Sequence, residues 1–356
     1  MHGFTAHRLR FVAQVSRPIV LQDFPGSALR GALFRALIDG FCANRPALDH
    51  GGCPACPLFA SCPVAYLAAT LNPESDRGEN VPRPFTLEPP LLASDASAGM
   101  NGGLTTPVVF DAGAPFEFGL TMFAHALQLF PYVVIAVGRM GEAGLGMRTG
   151  ANGWRRGQFA VREIWADNGV TGGGQAVLQR GSNLVTMPDV PITHAQLAAL
   201  PAPPPGTPVS VSFLTPLRLK HNGQVVHDAP PFRALFQRLM ERVSSLAQTF
   251  SDTPLDADLR YRLVGLSNSV RTVEARTRWV HLEAYSGRQK GHTSISGIVG
   301  QVVYAADDWA PLWPWLKWGE MTHVGKNAVK GEGMIQVTAG AVRRRGDGRG
   351  EVVCNS

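Results

Sequence analysis

One stretch near the C-terminal end of the chain combines residues that could bind an anion. The segment WAPLWPWLKWGEMTHVGKNAVKGEGMIQVT, residues 309–338, holds four glycines, three lysines and a histidine behind a Trp-rich apolar run. Glycines let a backbone turn sharply and approach a ligand closely, while lysines and amides in such a loop present donors to phosphate. The candidate phosphate ligands are Gly325, Lys326, Lys330, Gly331 and Gly333. The pattern predicts a helix, a basic glycine loop and a strand.

A second group of residues has ligand chemistry. Cys42, Cys53, Cys56 and Cys62 follow one another with the spacing C-x10-C-x2-C-x5-C. Four thiolates would complete a tetrahedral zinc site, although this spacing is irregular for a zinc finger. Reduced buried thiols and an iron–sulfur cluster are the alternatives. The cysteines therefore predict either a structural metal or a set of free thiols.

Composition limits the classes of protein to which the chain can belong. With 356 residues and 45% apolar content, the chain can form two domains, each with its own core. A net charge of +6 favours an acidic partner only weakly. The N-terminal residues lack the apolar core of an export signal, so we expect a cytoplasmic protein. Charged and proline residues interrupt the apolar run 116–137, which predicts a buried strand and helix and no membrane partner.

The elements that position these residues follow one order twice. Period-two alternation predicts the strands, and apolar residues at three- and four-residue spacing predict the helices. Each half reads βαββαβ, so we expect an α+β protein of two tandem ferredoxin-like (RRM-like) domains with a C-terminal glycine-rich loop. The predicted parts are an N-terminal domain (1–167) with a cysteine-containing insertion (about 42–62), a linker (168–208), a C-terminal domain (209–342) and a basic flexible tail (343–356).

Several motifs resemble a known family. In the second half these are VRTVEART, YSGRQK, SGIVGQVVY and GEMTHVGKNAVKGEG; in the first half they are ALRGALFRAL and FGLTMFAHALQLFPYVVIAVGRMGEAGLG. They are similar to the CRISPR-associated endoribonucleases that process repeat RNA, within the superfamily of RAMP proteins. The resemblance covers nearly the whole chain. It implies CRISPR repeat RNA (pre-crRNA or crRNA) as a partner, bound across a basic surface, and cleavage without a metal cofactor, leaving a 2′,3′-cyclic phosphate and a 5′-hydroxyl.

Such a reaction needs a base, an acid and cations. His50 follows the first helix, where this family often has its catalytic histidine, and is a candidate base; the alternatives are a metal ligand or an ordinary loop residue. His323 lies two residues before Gly325, so it is a candidate for catalysis, with a helix cap or a packed turn as the alternative. Lys326 is the candidate phosphate ligand at the reacting centre.

Further cations are candidate RNA ligands. The loop SGRQKGH brings Arg288, Lys290 and His292 together, and the first helix carries Arg30 and Arg35 on its polar side. Solvated surface charges would give the same pattern. The four tryptophans of residues 309–318 predict core packing rather than base stacking. The sequence thus predicts a repeat-RNA endoribonuclease, and the alternative is a non-catalytic RNA-binding subunit of a CRISPR effector complex.

Overall fold

The computed structural model describes residues 1, 3–21, 24–50, 52–69, 81–90, 108–286 and 291–340. The predicted basic tail and two predicted RNA ligands, Arg288 and Lys290, lie outside these residues. The chain contains both helices and antiparallel sheets, which confirms the prediction of a mixed helix and sheet protein.

The first half of the chain forms a sheet because its longest strand buries alternate residues. Leu9, Phe11, Ala13 and Val15 are buried along one face, as period-two alternation requires. The elements are β1 (Thr5–Arg17), β2 (Ile19–Leu21), α1 (Pro25–Phe41), α2 (Pro63–Ala68), β3 (Phe85–Glu88), β4 (Val108–Phe110), β5 (Pro115–Phe123), α3 (Phe130–Ala143), β6 (Leu145–Thr149) and β7 (Arg155–Asn168). The main sheet has the order β3-β5-β1-β7-β6, and α1 and α3 pack against each other beside it.

The segment predicted as a linker, residues 168–208, carries regular structure in its first part. It forms β8 (Gly173–Leu178), β9 (Ile192–Thr193) and α4 (His194–Ala198). β8 pairs with β7 and β9 pairs with β1, so both strands extend the first sheet. Gly and Pro residues gave this segment the composition of a linker, whereas backbone pairing ties it to the sheet.

The second half repeats the arrangement around its own sheet. Its elements are β10 (Val209–Leu217), β11 (Lys220–His221), β12 (Gln224–Val225), α5 (Phe232–Phe250), α6 (Ala257–Leu266), β13 (Arg271–Val280), β14 (Glu283–Ser286), β15 (Gly291–Ser294), β16 (Gly297–Ala305), α7 (Trp313–Thr322) and β17 (Ile335–Ala339). The main sheet has the order β13-β16-β10-β17 with antiparallel neighbours. The predicted ligand His292 lies in β15.

The two halves share part of their core. Phe4 contacts Phe123 in the first half and Trp318 in the second, with ring centroids 5.8 and 4.8 Å apart. The hydroxyl of Thr86 donates a hydrogen bond to the carbonyl of Met321, 2.8 Å away. The four tryptophans of residues 309–318 are all buried, which confirms that they fill core. The interface therefore fixes α7 and the loop after it against the first sheet.

The apolar run at residues 116–137 is divided between β5, a 3₁₀ turn and the start of α3. None of the helices in the described ranges is long and apolar enough to cross a membrane.

Candidate functional site

The glycine loop, residues 323–334 between α7 and β17, joins the two halves of the molecule. Its 3₁₀ turn, Ala328–Lys330, packs against α1 and β3 of the first half. Val329 is buried in the core of the first half. A Cβ added to Gly26, in the first turn of α1, would lie 1.7 Å from the carbonyl oxygen of Lys330. The loop and the start of α1 are therefore in direct backbone contact.

Two of the glycines predicted to bind RNA serve this packing. Gly331 and Gly333 are buried. Gly333 has a φ of 70°, and a Cβ there would lie 1.8 Å from the carbonyl oxygen of Val324. The amides of Lys326, Gly331 and Gly333 donate to carbonyls of the protein itself, so they are not available to a phosphate. An anion beside this loop therefore cannot be bound by these three amides.

His323 is placed in the interior. Its side chain has no exposed surface, and its φ is 58°, where the chain turns out of α7. Burial and the positive charges of Arg242 and Arg8 lower its pKa from 6.5 to about 3, against smaller opposing effects of the backbone at Ala328 and Glu332. Neither ring nitrogen has a hydrogen-bond partner of normal geometry. In this position the ring is neutral and inaccessible to RNA, so the burial argues against the predicted catalytic role.

A buried carboxyl lies in the same loop. Burial raises the pKa of Glu332 from 4.5 to about 8, although Asn327, Lys330 and Arg218 oppose the rise. The side-chain amide of Asn327 donates to one carboxyl oxygen at 3.0 Å. Burial thus favours the protonated form of Glu332, as it favours the neutral form of His323.

A basic pocket opens beside the exposed part of the loop. Its volume is about 380 Å³, and it is lined by Pro82, Arg218, Leu219, Lys220, Arg238, Glu241, Arg242, Ser245, Gly325 and Lys326. Five of these ten residues are cationic and only Glu241 is acidic. Arg238 pairs with Glu241 at 2.6 Å, which leaves a clear surplus of positive charge. Lys326 is exposed, and Gly325 is half-buried at the rim. The pocket can therefore accept a phosphate or another compact anion.

Arg242 is the most deeply placed of these cations. Its Nε donates to the carbonyl oxygen of Thr322, and its Nη2 has neither accessible surface nor a hydrogen-bond partner. Burial lowers its pKa from 12.5 to about 10, so the guanidinium stays charged at neutral pH. A buried guanidinium nitrogen without a partner is costly, and the charge of Arg242 adds to the positive potential at the wall of the pocket.

The pocket residues on α5 and β11 were not among the sequence candidates. Arg238 and Arg242 are four residues apart on α5, a spacing that places both on one helix face. The four-residue spacing could have shown from the sequence that the two arginines share a helix face. It could not show that this face borders the glycine loop, because the position of the face depends on how α5 packs.

A second basic group lies on the α1 side of the loop. The pKa of Lys330 is lowered, first by burial and then by the charges of Arg30 and Arg83, while Glu332 opposes the fall. The guanidinium of Arg30 lies 4.9 Å from the centre of the Phe34 ring. The structure thus brings together the predicted ligands Arg30 and Lys330, whereas Arg35 lies farther along α1 and is exposed.

His50 lies apart from these groups in the short turns after α1. It is exposed, and its Nδ1 lies 2.9 Å from the carbonyl oxygen of Pro46. Because a carbonyl can only accept, this contact places the proton on Nδ1 and leaves Nε2 free to accept one. His50 is not among the residues that line the basic pocket.

The four cysteines converge on one place. Cys42, Cys53, Cys56 and Cys62 are half-buried and border a pocket of about 210 Å³. The pKa of the Cys53 thiol is raised by burial and then by the other three thiols. The convergence agrees with the sequence spacing. However, within the described ranges no three His, Cys, Asp or Glu side chains are arranged to hold a metal ion, so the ligand geometry does not itself support the zinc prediction.

Comparison with known proteins gives the family. Residues 4–190 match a family model described as an N-terminal domain, and residues 211–335 match the model of the CRISPR-associated endoribonuclease Cas6. The second match is to a CRISPR-associated protein family. By that match, residues 211–335 are a domain of the Cas6 type.

Solved structures share the fold at low identity. A Cas6 product complex matches with a TM-score of 0.51 and 14% identity over 94% of this chain and 99% of that one. Cas6 from Thermus thermophilus matches with a TM-score of 0.50 and 13% identity over the same shares. A chain of a partial Cas6-RT-Cas1–Cas2 complex matches with a TM-score of 0.56 and 11% identity over 97% of this chain and 48% of that one. None of the curated proteins matches the sequence.

Proposed function

We propose that this protein binds CRISPR repeat RNA with a backbone phosphate in the basic pocket and cleaves the bound RNA. The observation that carries the proposal is the surplus of cationic side chains around the pocket. RNA is a polyanion whose phosphates form most of the contacts with a protein, so such a pocket suits it. The Cas6-type match of residues 211–335 supplies the substrate class.

We infer that each half is a ferredoxin-like unit. Each half contains the four strands of a βαββαβ series. In both sheets the second, third, first and fourth strands of the series lie side by side in that order, with the second strand at an edge. The basic pocket lies on the second unit and receives Pro82 from the first. An RNA bound in the pocket would therefore lie across both units. We place the protein in the cytoplasm, where repeat transcripts are made.

The reaction that we propose is transesterification. The 2′-oxygen forms a bond to the adjacent phosphorus, the bond from phosphorus to the 5′-oxygen breaks, and a 2′,3′-cyclic phosphate and a 5′-hydroxyl result. The proton of the 2′-hydroxyl goes to a base, and the leaving 5′-oxygen takes a proton from an acid. Lys326, Arg218 and Arg242 would bind a phosphate elsewhere on the same strand and so hold the RNA in position for the cut. The reaction needs no metal ion.

His50 is our proposed base. Its free Nε2 is in the form that accepts a proton, and its ring is exposed. RNA bound across the first unit would have to reach it. His50→Ala should abolish cleavage while leaving the affinity for repeat RNA within about two-fold, because one exposed side chain outside the basic pocket contributes little to binding of a polyanion.

A second function has its own support. None of the residues that line the described pocket is a histidine or a tyrosine, the side chains most often suited to proton transfer at neutral pH. This favours a subunit that binds repeat RNA without cutting it and stays in a CRISPR effector complex. The two functions differ in one result, which is whether the wild-type chain cuts the RNA that it binds.

The experiment uses the purified full chain and a repeat RNA from the CRISPR array of the same genome, in buffer with EDTA. We expect one cut per repeat, with a cyclic phosphate on the upstream product. Tight binding without any cut over a wide range of enzyme concentration would establish the binding subunit. Absence of both binding and cleavage would refute the proposed function.

A further inference from the structure

The turn between β6 and β7, residues 150–154, presents a large aromatic side chain to solvent. Trp154 is 74% exposed, more than any other tryptophan among the described residues. Its φ of 59° lies in the left-handed region, which is uncommon for a bulky residue. The turn is nevertheless held in place: the Trp154 amide donates to the Thr149 carbonyl at 2.8 Å, and the Asn152 side chain donates to the Pro18 carbonyl at 2.8 Å. The indole is therefore displayed on a fixed support.

Four arginines surround this turn. Arg148, Arg155 and Arg156 flank it on β6 and β7, and Arg35 reaches the same region from α1. Arg148 and Arg156 are paired across β6 and β7, and one nitrogen of Arg156, Nη1, donates to the carbonyl of Gly146. The pKa of Arg156 is lowered by burial and then by the positive charges of Arg35 and Arg148. In the described parts of the chain, none of the four forms an ion pair with a carboxylate.

A cluster of like charges costs free energy unless an anion compensates it. The group therefore points to a ligand that carries several negative charges at close spacing. An exposed indole beside it adds a flat surface on which an unstacked base can lie, as in proteins that bind single-stranded nucleic acid. An acidic protein surface could neutralise the arginines, but it would not explain why a single indole is exposed beside them. Single-stranded RNA explains both features.

We propose that Trp154, Arg35, Arg148, Arg155 and Arg156 form a binding surface for a single-stranded segment of RNA. A base stacks on the indole, and the arginines bind the phosphates on either side of it. The inference rests on the proposed function, since it concerns the part of the same RNA that flanks the segment in the basic pocket. It adds a contact that neither the glycine loop nor the pocket supplies.

The position of the surface fits this role. The first turn of α1 contacts the glycine loop at Gly26, and Arg35 lies nine residues farther along the same helix. A helix rises 1.5 Å per residue, so these two points are about 14 Å apart along the helix axis. Arg30 and Lys330 lie near the first point, and the arginine cluster lies near the second. The RNA strand can therefore pass from one group to the other along α1.

The test compares two fluorescent RNA probes, a short hairpin with a single-stranded oligouridylate extension and the same hairpin without it. Binding is measured for the wild-type chain, Trp154→Ala, Trp154→Phe and Leu184→Ala. Leu184 is the control because it is also an exposed apolar residue, 72% exposed, on a different loop. Trp154→Ala should weaken binding of the extended probe by about 5- to 150-fold, the loss that one stacked base accounts for. It should leave the plain hairpin unchanged.

Trp154→Phe should restore most of the affinity, because phenylalanine also provides a ring face. Arg155→Ala should reduce the slope of log affinity against log salt by about 0.7 for the extended probe. Equal affinity of wild type and Trp154→Ala for the extended probe would overturn the proposal while leaving the proposed function intact. Failure of the wild-type chain to bind either probe or a repeat RNA would instead overturn both.

Discussion

Replacement of His323 by glutamine should change how the stability of the protein depends on pH. The folded protein holds His323 as a neutral ring because burial, and then the charges of Arg242 and Arg8, lower its pKa from 6.5 to about 3. The unfolded chain has no such constraint, so its histidine takes up a proton near pH 6.5. Glutamine is neutral at every pH and of similar size, and it removes this difference between the two states.

The sign and size of the effect follow from the two pKa values. Because the folded pKa is depressed, the contribution of His323 to stability is complete above pH 6.5 and falls as the pH drops from 6.5 towards 3. A pH of 5 lies about 1.5 units below the pKa of the histidine in the unfolded chain. Protonation of the unfolded chain therefore lowers the free energy of unfolding by about 2 kcal/mol at this pH. The full shift corresponds to at most about 5 kcal/mol, reached near pH 3.

Another group acts in the opposite direction. Burial raises the pKa of Glu332 to about 8, so its contribution to stability is complete below pH 4.5 and is lost as the pH rises towards 8. The stability curve of the wild type is therefore a sum of opposing effects. The comparison with His323→Gln isolates the histidine, because Glu332 is present in both proteins.

The assay is urea unfolding of both proteins at pH 8 and at pH 5, followed by circular dichroism. Between these two values the wild type should lose about 2 kcal/mol more than His323→Gln. Equal changes in the two proteins would show that His323 titrates normally in the folded state. In that case the ring would be accessible, and its predicted catalytic role would have to be considered again.

Three further predictions concern the contact between α1 and the glycine loop, the basic pocket and the four cysteines. Gly26→Ala should destabilise the protein by more than about 2 kcal/mol, because the added Cβ would lie 1.7 Å from a backbone carbonyl oxygen of the glycine loop. Gly31→Ala in the same helix has open space around the added Cβ and should stabilise the protein by about 0.5–1 kcal/mol. Thermal unfolding measures both changes. Lys326→Ala should reduce the salt slope of repeat-RNA binding by about 0.7–0.9. The control is Arg180→Ala, which should leave the slope unchanged, because Arg180 lies in the turn after β8 and pairs with Glu163. Metal analysis of the wild type and of Cys53→Ser tests the zinc prediction for the four converging thiols: about one equivalent of zinc per chain that Cys53→Ser loses would support it, and wild-type protein without zinc and with reactive thiols would contradict it.

Much of the secondary structure follows from local pattern. The alternation of Leu9, Phe11 and Ala13 predicts β1. Apolar residues at every fourth position after Pro25 predict α1, and the structure shows that this helix ends at Phe41. These signals are local because a strand or helix with one buried face repeats its apolar residues at a fixed period. The mixed helix and sheet class was predictable for that reason.

The linker and the glycine loop show why the remaining features were not predictable. Residues 168–208 looked like a linker, but β8 and β9 pair with strands far away in sequence, and pairing partners leave no local trace. Gly331 and Gly333 looked like phosphate ligands. Their absent side chains instead make room for the first half and for the backbone of Val324, respectively.

The candidate site was predictable only in part. Gly325 and Lys326 were identified from the sequence and do border the basic pocket. Arg242 was missed because an arginine on an amphipathic helix is usually solvated, and only the packing of α5 against α7 buries its guanidinium. His323 has the residue type that catalysis needs, but exposure depends on the whole fold.

We propose that this chain binds CRISPR repeat RNA at the basic pocket and cuts the bound RNA, and one measurement tests this most directly. Wild type, Lys326→Ala and His50→Ala are incubated in EDTA with a repeat RNA labelled at its 5′ end, and the ends of the products are identified. We predict that the wild type makes a single cut and leaves a 2′,3′-cyclic phosphate. Lys326→Ala should bind more weakly and cut more slowly, and His50→Ala should bind the RNA without cutting it. A wild-type chain that binds the repeat and leaves it intact would contradict the claim.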